Sequence, residues 1–374
     1  MKEWTKYTAQ EFCVNVTDGT HDSPKPTEVG HYLITSKHLQ NNSIDFSSAY
    51  KISEEDYLKV IKRSAVVQHD ILFSMIGTIG NTVRVKDSTV DYAVKNMAIF
   101  KMGGDEIKSK WLYYWLKSFS AKEYISSRLA GSTQSYLTLD TLRNFPVFAP
   151  AENKMKLITS ILSSIDDKIE LNRQINDNLE QQAQALYKSW FVDFEPFKDG
   201  NFVESELGQI PEGWEVRDIY KYTDVIYGAP YKSSLFNENK EGYPLIRIRD
   251  LKSFAPQFYT QEILPQTEYI IAGDVVAGMD AEFTPYIWQG EKGVLNQRCC
   301  KFIGQYPWIS NYYLLNLLKP ELEYVQSYKT GTTVSHLGKA DIDRFKVITP
   351  PESIVKAFSV IVNSLLEQKV KCAN

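Results

Sequence analysis

Three groups of residues carry side chains suited to gripping an anionic backbone or the edges of bases. The first is Thr17-Asp18-Gly19-Thr20-His21, a polar turn after an apolar start, with hydroxyls, amides and an imidazole to offer. The same residues also read as a structural turn in which Asp18-Gly19 serves backbone geometry. The second is a pair of small polar loops, Gly131-Ser132-Thr133-Gln134-Ser135 and Gly331-Thr332-Thr333-Val334-Ser335, each leading into a helix-like turn. Ser132, Thr133, Thr332 and Thr333 can donate to phosphates or cap the helical turn that follows. Gln134 and His336 have the donors and acceptors of base readers. The third group is polar and basic. Arg247, Arg249 and Lys252 cluster, with Arg247 and Arg249 expected on one face of a strand, and Arg298 stands beside Asn296 and Gln297. Guanidinium forks suit guanine or phosphate; a solvated strand face is the plain alternative.

Residues that would run a reaction of their own are not evident. The one Gly-Lys pair, Gly338-Lys339, is followed by Ala340, so no phosphate-cradling Gly-x4-Gly-Lys-Ser/Thr loop exists. His21, His31, His38, His69 and His336 lack the spacing of metal ligands. Acid-plus-lysine runs such as Glu106-Ile107-Lys108 read as surface charge. Cys13, Cys299, Cys300 and Cys372 have neither metal-like spacing nor obvious pairing and suit free thiols in a reducing cytoplasm. A net charge of −4 excludes coating of nucleic acid by bulk charge, but not binding through local basic patches. No apolar run reaches the roughly 20 residues that span a bilayer, and Met1-Lys2-Glu3-Trp4 does not open a signal peptide.

The elements that would position these side chains come in two sets. Gly131–Leu137 returns as Gly331–Leu337, and the same offset of 200 residues pairs Phe145 with Phe345, Val147 with Val347, Pro150 with Pro350, Glu152 with Glu352 and Asn96 with Asn296. A repeat this long is a duplicated domain followed by a duplicated helix, not a solenoid unit of roughly 20–50 residues. Residues 1–150 form the first α/β module, with strands expected at Ile71–Ile76, Asn81–Val85, Met97–Met102 and Phe145–Phe148, and a helix over Lys110–Tyr124. Residues 198–213 read as a linker rich in Gly and Pro, and residues 214–350 as the second module. Ile246–Ile248 and Val275-Val276 are its early strands, Cys299–Ile303 aligns with Ala98–Met102, and Trp308–Leu318 replaces the helix at Trp111.

Between the modules, residues 151–197 lack glycine. Ile158, Leu162, Ile165, Ile169, Asn172, Asn176, Leu179, Ala183, Leu186 and Trp190 recur at alternating steps of four and three, the seam of a coiled coil. Buried asparagines at Asn172 and Asn176 would fix its register. This helix could reach about 61 Å, whereas the distal helix, 351–374, would reach about 36 Å and reads as truncated. In an antiparallel pairing Ile158, Leu162 and Ile165 would then be under-covered.

Leu171-Asn172-Arg173-Gln174-Ile175-Asn176-Asp177-Asn178-Leu179-Glu180, continuing through Gln181 to Phe194, resembles the central conserved helix of the specificity subunits of Type I restriction–modification systems. Gly208–Trp214 is similar to that family's entry into its second recognition domain, and Asp18–His21 and the two Gly-Ser/Thr-Thr loops are similar to its patterns. The resemblance covers essentially the whole chain. It implies two pseudo-repeated target-recognition domains separated by long antiparallel helices that act as a ruler, each domain reading half of a split DNA site. It further implies a non-catalytic chain that works with two methyltransferase subunits and a motor-nuclease subunit, which hold S-adenosylmethionine, ATP and Mg2+. The Asn/Asp-Pro-Pro-aromatic loop of the methylating partner has no counterpart, since Pro350-Pro351 lies between Thr349 and Glu352. The short distal helix raises an alternative: a shuffled copy that acts as an assembly scaffold or needs self-pairing.

Overall fold

A computed structural model describes residues 4–40, 42–131, 135–329 and 335–373. The chain forms two compact units, Met1–Ile169 and Glu170–Asn374.

The main elements of the first unit, in chain order, are β1 (Asn15–Asp18), β2 (His31–Ile34), α1 (Glu54–Ser64), β3 (Ile71–Ser74), β4 (Thr82–Arg84), β5 (Tyr92–Val94), β6 (Met97–Lys101), α2 (Glu106–Leu116) and α3 (Phe119–Ser126). An antiparallel sheet runs β1-β6-β3-β4. Strand β3 is apolar at successive positions because both of its faces are covered. Ile71 and Phe73 pack with Trp111 and Leu112 of α2, while Leu72 joins Ile34, Val94 and Ile99 on the other side. That second core exists because β2 and β5 pair in parallel and lie against the sheet. Helix α1 begins where Ser53 accepts the Asp56 N–H at 3.2 Å; its first turn is acidic and its last holds Lys62 and Arg63, both matched to the helix dipole.

Helix α4 (Glu152–Phe191) follows, one continuous element over most of the expected segment 151–197, whose end is instead a 3-10 turn at Glu195–Phe197. In the second unit come β7 (Phe202–Ser205), β8 (Gly208–Pro211), β9 (Thr223–Tyr227), β10 (Tyr243–Ile246), β11 (Val275–Gly278), β12 (Pro285–Ile287), β13 (Gly293–Leu295), β14 (Cys299–Gly304), α5 (Asn311–Lys329) and α6 (Glu352–Ala373). The sheet order β9-β14-β11-β12 repeats the first, and β10 pairs in parallel with β13 as β2 does with β5. The stretch expected as a linker is ordered: β7 and β8 form a hairpin, and Phe197 and Phe194 stack edge-on against Trp214 at 5.1 and 5.4 Å. The helix expected from Trp308 starts at Asn311 and runs through Pro320 to Lys329.

The repeat is real, but its offset is not constant. Gly19 donates to Met97 O as Gly228 donates to Cys299 O, and Leu137 donates to Met75 O as Leu337 does to Met279 O. These bonds make Gly19 equivalent to Gly228, Met97 to Cys299 and Leu137 to Leu337. Only the last pair is 200 residues apart. Asn96 donates to Thr20 O, and its counterpart Gln297 donates to Ala229 O. The expected pairing of Asn96 with Asn296 is therefore corrected: Asn296, which donates to Ile246 O, stands where Lys95 donates to Ile34 O.

The seam on α4 also divides. In its second half Leu179 and Ala183 are buried, and Tyr187, Trp190 and Phe191 surround Phe358 of α6 with centroids 5.9, 6.1 and 4.9 Å away. Leu186 packs half-buried on the same core, and Asn172 and Asn176 are half-buried. Glu180 bonds Lys369 at 2.8 Å, so α6 runs antiparallel to this half of α4. In the first half Ile158 leans on the first unit's own core and Leu162 is half-buried, but Ile165 and Ile169 are 52% and 45% exposed. The seam is thus not one uninterrupted interface within the chain.

Candidate nucleic-acid interface

The antiparallel order brings the end of β1, the end of β3 and the start of β6 to one end of the first sheet. The turn after β1 does not lie open there. Asp18, Gly19 and Thr20 are buried and Thr17 is half-buried, against the expectation that all four face a ligand. The cause is a close crossing: Thr20 donates to Val94 O, and a Cβ on Gly19 would overlap that same carbonyl. Asp18-Gly19 therefore serves backbone geometry. What the turn exposes is His21, whose Nε2 lies 2.8 Å from Asp18 Oδ2 and whose Nδ1 lies 2.8 Å from Asn96 Oδ1. Arg63 donates to the other Asp18 oxygen at 3.2 Å and to Gly19 O at 2.9 Å. Beneath an exposed imidazole sits a carboxylate held from two sides.

The equivalent end of the second sheet is built from the same backbone and different side chains. In the first unit Ile76 and Tyr136 form an isolated antiparallel bridge beside the Gly131 loop; in the second, Asp280 and His336 form it. Asp280 Oδ1 lies 2.6 Å from His336 Nδ1, and Arg298 NH1 lies 3.3 Å from Asp280 Oδ2. Arg298 is one residue extra: Asn96 runs directly into Met97, whereas Gln297 and Cys299 have Arg298 between them. Asn296 is buried, and its side-chain oxygen accepts the Arg298 N–H at 3.4 Å, so it supports the turn from within. Lys329 donates to His336 O at 2.6 Å and also pairs with Asp341. Burial works against ionisation of Asp341, but the Lys329 ammonium and the Gly338 N–H outweigh it and hold the carboxyl below its ordinary range.

Arg247 and Arg249 are not on a strand. Strand β10 ends at Ile246, and Ile248–Asp250 form a 3-10 turn. Asp250 accepts the Arg247 N–H at 3.0 Å and its Nε at 3.2 Å, and the guanidinium lies 4.3 Å from the Phe258 ring. Arg247 is thus largely a structural cap, while Arg249 is exposed. Ser132, Thr133, Gln134, Thr332 and Thr333 lie outside the described residues. The residues missed from sequence are Arg63, Asp280, Ile76 and Tyr136. Aligning Met75 with Met279 would have exposed Asp280 and Ile76, which then coincide. Among the described residues no group of three or more His, Cys, Asp or Glu could hold a metal ion.

Known proteins identify this architecture. The profile of the Type I restriction modification DNA specificity domain matches residues 1–181 and 211–371, one match for each copy of the repeat. The chain belongs to that family. It is 28% identical over 289 residues to the Type I restriction enzyme MjaIX specificity subunit of Methanocaldococcus jannaschii, covering 71% of this chain and 64% of that one. It is 23% identical over 450 aligned positions to the HindI specificity subunit of Haemophilus influenzae, covering 98% and 94%. The crystal structure of a Type-I restriction-modification S subunit from M. genitalium superposes with a TM-score of 0.57 at 13% identity, over 99% of this chain and 91% of that one; it shares the fold. Specificity-domain membership and two α/β modules with a long helix agree with the architecture expected from the central-helix motif. No helix among the described residues is long and apolar enough to cross a membrane.

Proposed function

We propose that this chain is a non-catalytic DNA-recognition subunit that reads a bipartite site and directs adenine methylation and restriction by partner subunits. The observation that carries the reading is the pair of homologous sheet ends, which share equivalent backbone bonds and differ in exposed side chains. Two copies of one reader with different surfaces suit two different half-sites. The net charge of −4 fits a protein that shares the work of neutralising phosphates with partners. Those partners would be two methyltransferase subunits holding S-adenosylmethionine, and a motor-nuclease using ATP and Mg2+, all in the cytoplasm.

Contact with partner subunits finds support in exposed apolar residues on both repeated helices, with Ile161 and Ile361 at equivalent positions. Leu157 and Ile161 are 62% and 55% exposed on α4, and Val360 and Ile361 are 72% and 43% exposed on α6. Exposed apolar stripes of this kind mark contact surfaces. A second reading, a truncated or shuffled copy that acts as an assembly scaffold or needs self-pairing, draws on Ile165 and Ile169, which extend the α4 stripe.

An electrophoretic shift on a site derived from the methylome tests the first reading. The chain with its methyltransferase should bind the matched duplex far better than a scrambled one, with affinity falling steeply with salt. Equal binding to both duplexes overturns it. Sedimentation of the isolated chain tests the second reading, which a soluble monomer at high concentration would eliminate.

A further inference from the structure

The two units serve as controls for one another. Equivalent backbone that carries different exposed chemistry is where a difference in readout should be sought, and one such place lies around Asp280. An apolar bridge, Ile76 with Tyr136, is replaced by a charged one, Asp280 with His336, and a residue is added at Arg298. Asp280 is the most sheltered of the three: its side chain is 21% exposed, against 48% for His336 and 56% for Arg298. Its two oxygens are divided between the imidazole and the guanidinium. The Arg298 backbone is fixed as well, since its carbonyl accepts the Met279 N–H at 2.9 Å and its N–H donates to Asn296. Asp280 Oδ2 against one terminal nitrogen favours one placement of this 56% exposed guanidinium, at the modest energy of an exposed ion pair. Its other terminal nitrogen and Nε lie outside that pair, and a preorganised fork is the side chain best matched to guanine O6 and N7.

We propose that Arg298, held by Asp280 with His336 behind it, is a specificity-determining residue that reads a guanine in one half of the target. This rests on the DNA-recognition reading above. The test uses the full chain assembled with its methyltransferase, a duplex carrying the methylome-derived site, and duplexes with each base pair replaced in turn. The unsubstituted complex must first discriminate matched from scrambled DNA; failure there sinks the recognition reading before Arg298 is touched. Arg298→Ala should then lose discrimination at a single G·C pair by about 5- to 150-fold and leave every other position as it was. Arg298→Lys should restore only part of it, because a point charge lacks the fork. Asp280→Asn, which keeps the arginine and loosens its anchor, should weaken discrimination at the same base pair by a smaller factor, and it serves if the alanine variant does not assemble. A uniform loss on all duplexes with a shallower salt dependence would make Arg298 a phosphate contact and overturn the proposal. So would unchanged discrimination.

Discussion

The first unit takes little of its core from α4, whereas the second packs a long stretch of that helix into its own. Phe145, Trp111 and Leu112 pack with β3 and β6 and need only Met155 and Ile158 from the start of α4. In the second unit Tyr187, Phe191 and Ala183 from the far half of α4 are buried among Tyr313, Phe358 and Val362. Phe358 and Val362 stand 200 residues beyond Ile158 and Leu162, yet the former pair is fully buried and the latter half-buried. One helical sequence pattern thus does different work in its two copies. The neighbour, not the pattern, decides how much of it leaves water.

The sharpest way to break this comparison is to truncate equivalent residues. Phe358→Ala should cost the second unit about 3–5 kcal/mol, while Ile158→Ala should cost the first about 2 kcal/mol or less. Urea unfolding of the full chain, with hydrogen exchange resolved by unit, would check both; equal losses would contradict the asymmetry. Next in size, the double substitution Asp280→Ile, His336→Tyr grafts the first unit's bridge onto the second. The Leu337-to-Met279 backbone bond should survive, and base preference should change by about tenfold or more in one half-site only. Mapping of modified adenines would read it, and a change in both halves would refute independent readers.

A smaller effect attaches to Glu180 and Lys369. Burial raises the Glu180 carboxyl, but the Lys369 hydrogen bond and charge outweigh it and leave it below the usual carboxylate value. The stability it contributes is present above the unfolded value and lost as pH falls through the depressed folded one. A double-mutant cycle with alanine at both positions should give a coupling of about 1 kcal/mol at neutral pH, vanishing in acid. The smallest effect concerns His31, stacked on Tyr57 with centroids 3.8 Å apart. The Glu54 hydrogen bond, with Asp91 on the other ring nitrogen, raises its affinity for a proton above the ordinary 6.5 despite burial. A raised folded value contributes stability below pH 6.5 that is lost as pH rises through it. His31→Gln should flatten the first unit's stability from pH 6.5 upward through the raised folded value, a change of small size because both carboxylates are largely exposed.

Much of this was legible in the residues. The apolar run at Ile71 gave a strand buried on both faces, and the steps of four and three gave a continuous helix over the seam. What escaped depends on partners far away in the chain. Thr20 is polar and follows Asp18-Gly19, so it looked like surface; only the crossing with Val94 buries it. Arg247 and Arg249 alternate as strand residues would, but Asp250 captures the Arg247 backbone and starts a 3-10 turn. A constant offset of 200 hid the equivalence of Ile76 and Asp280, because residues have been added and removed between elements while the strands kept their pairing.

Gly19 has a twin. A methyl group on Gly228 would overlap the Asn296 carbonyl just as one on Gly19 would overlap that of Val94. Both halves of the molecule therefore hang their differing tips from a hinge-pin with no room for a side chain. An alanine at either glycine should jam the fold of that half and silence it without touching a base.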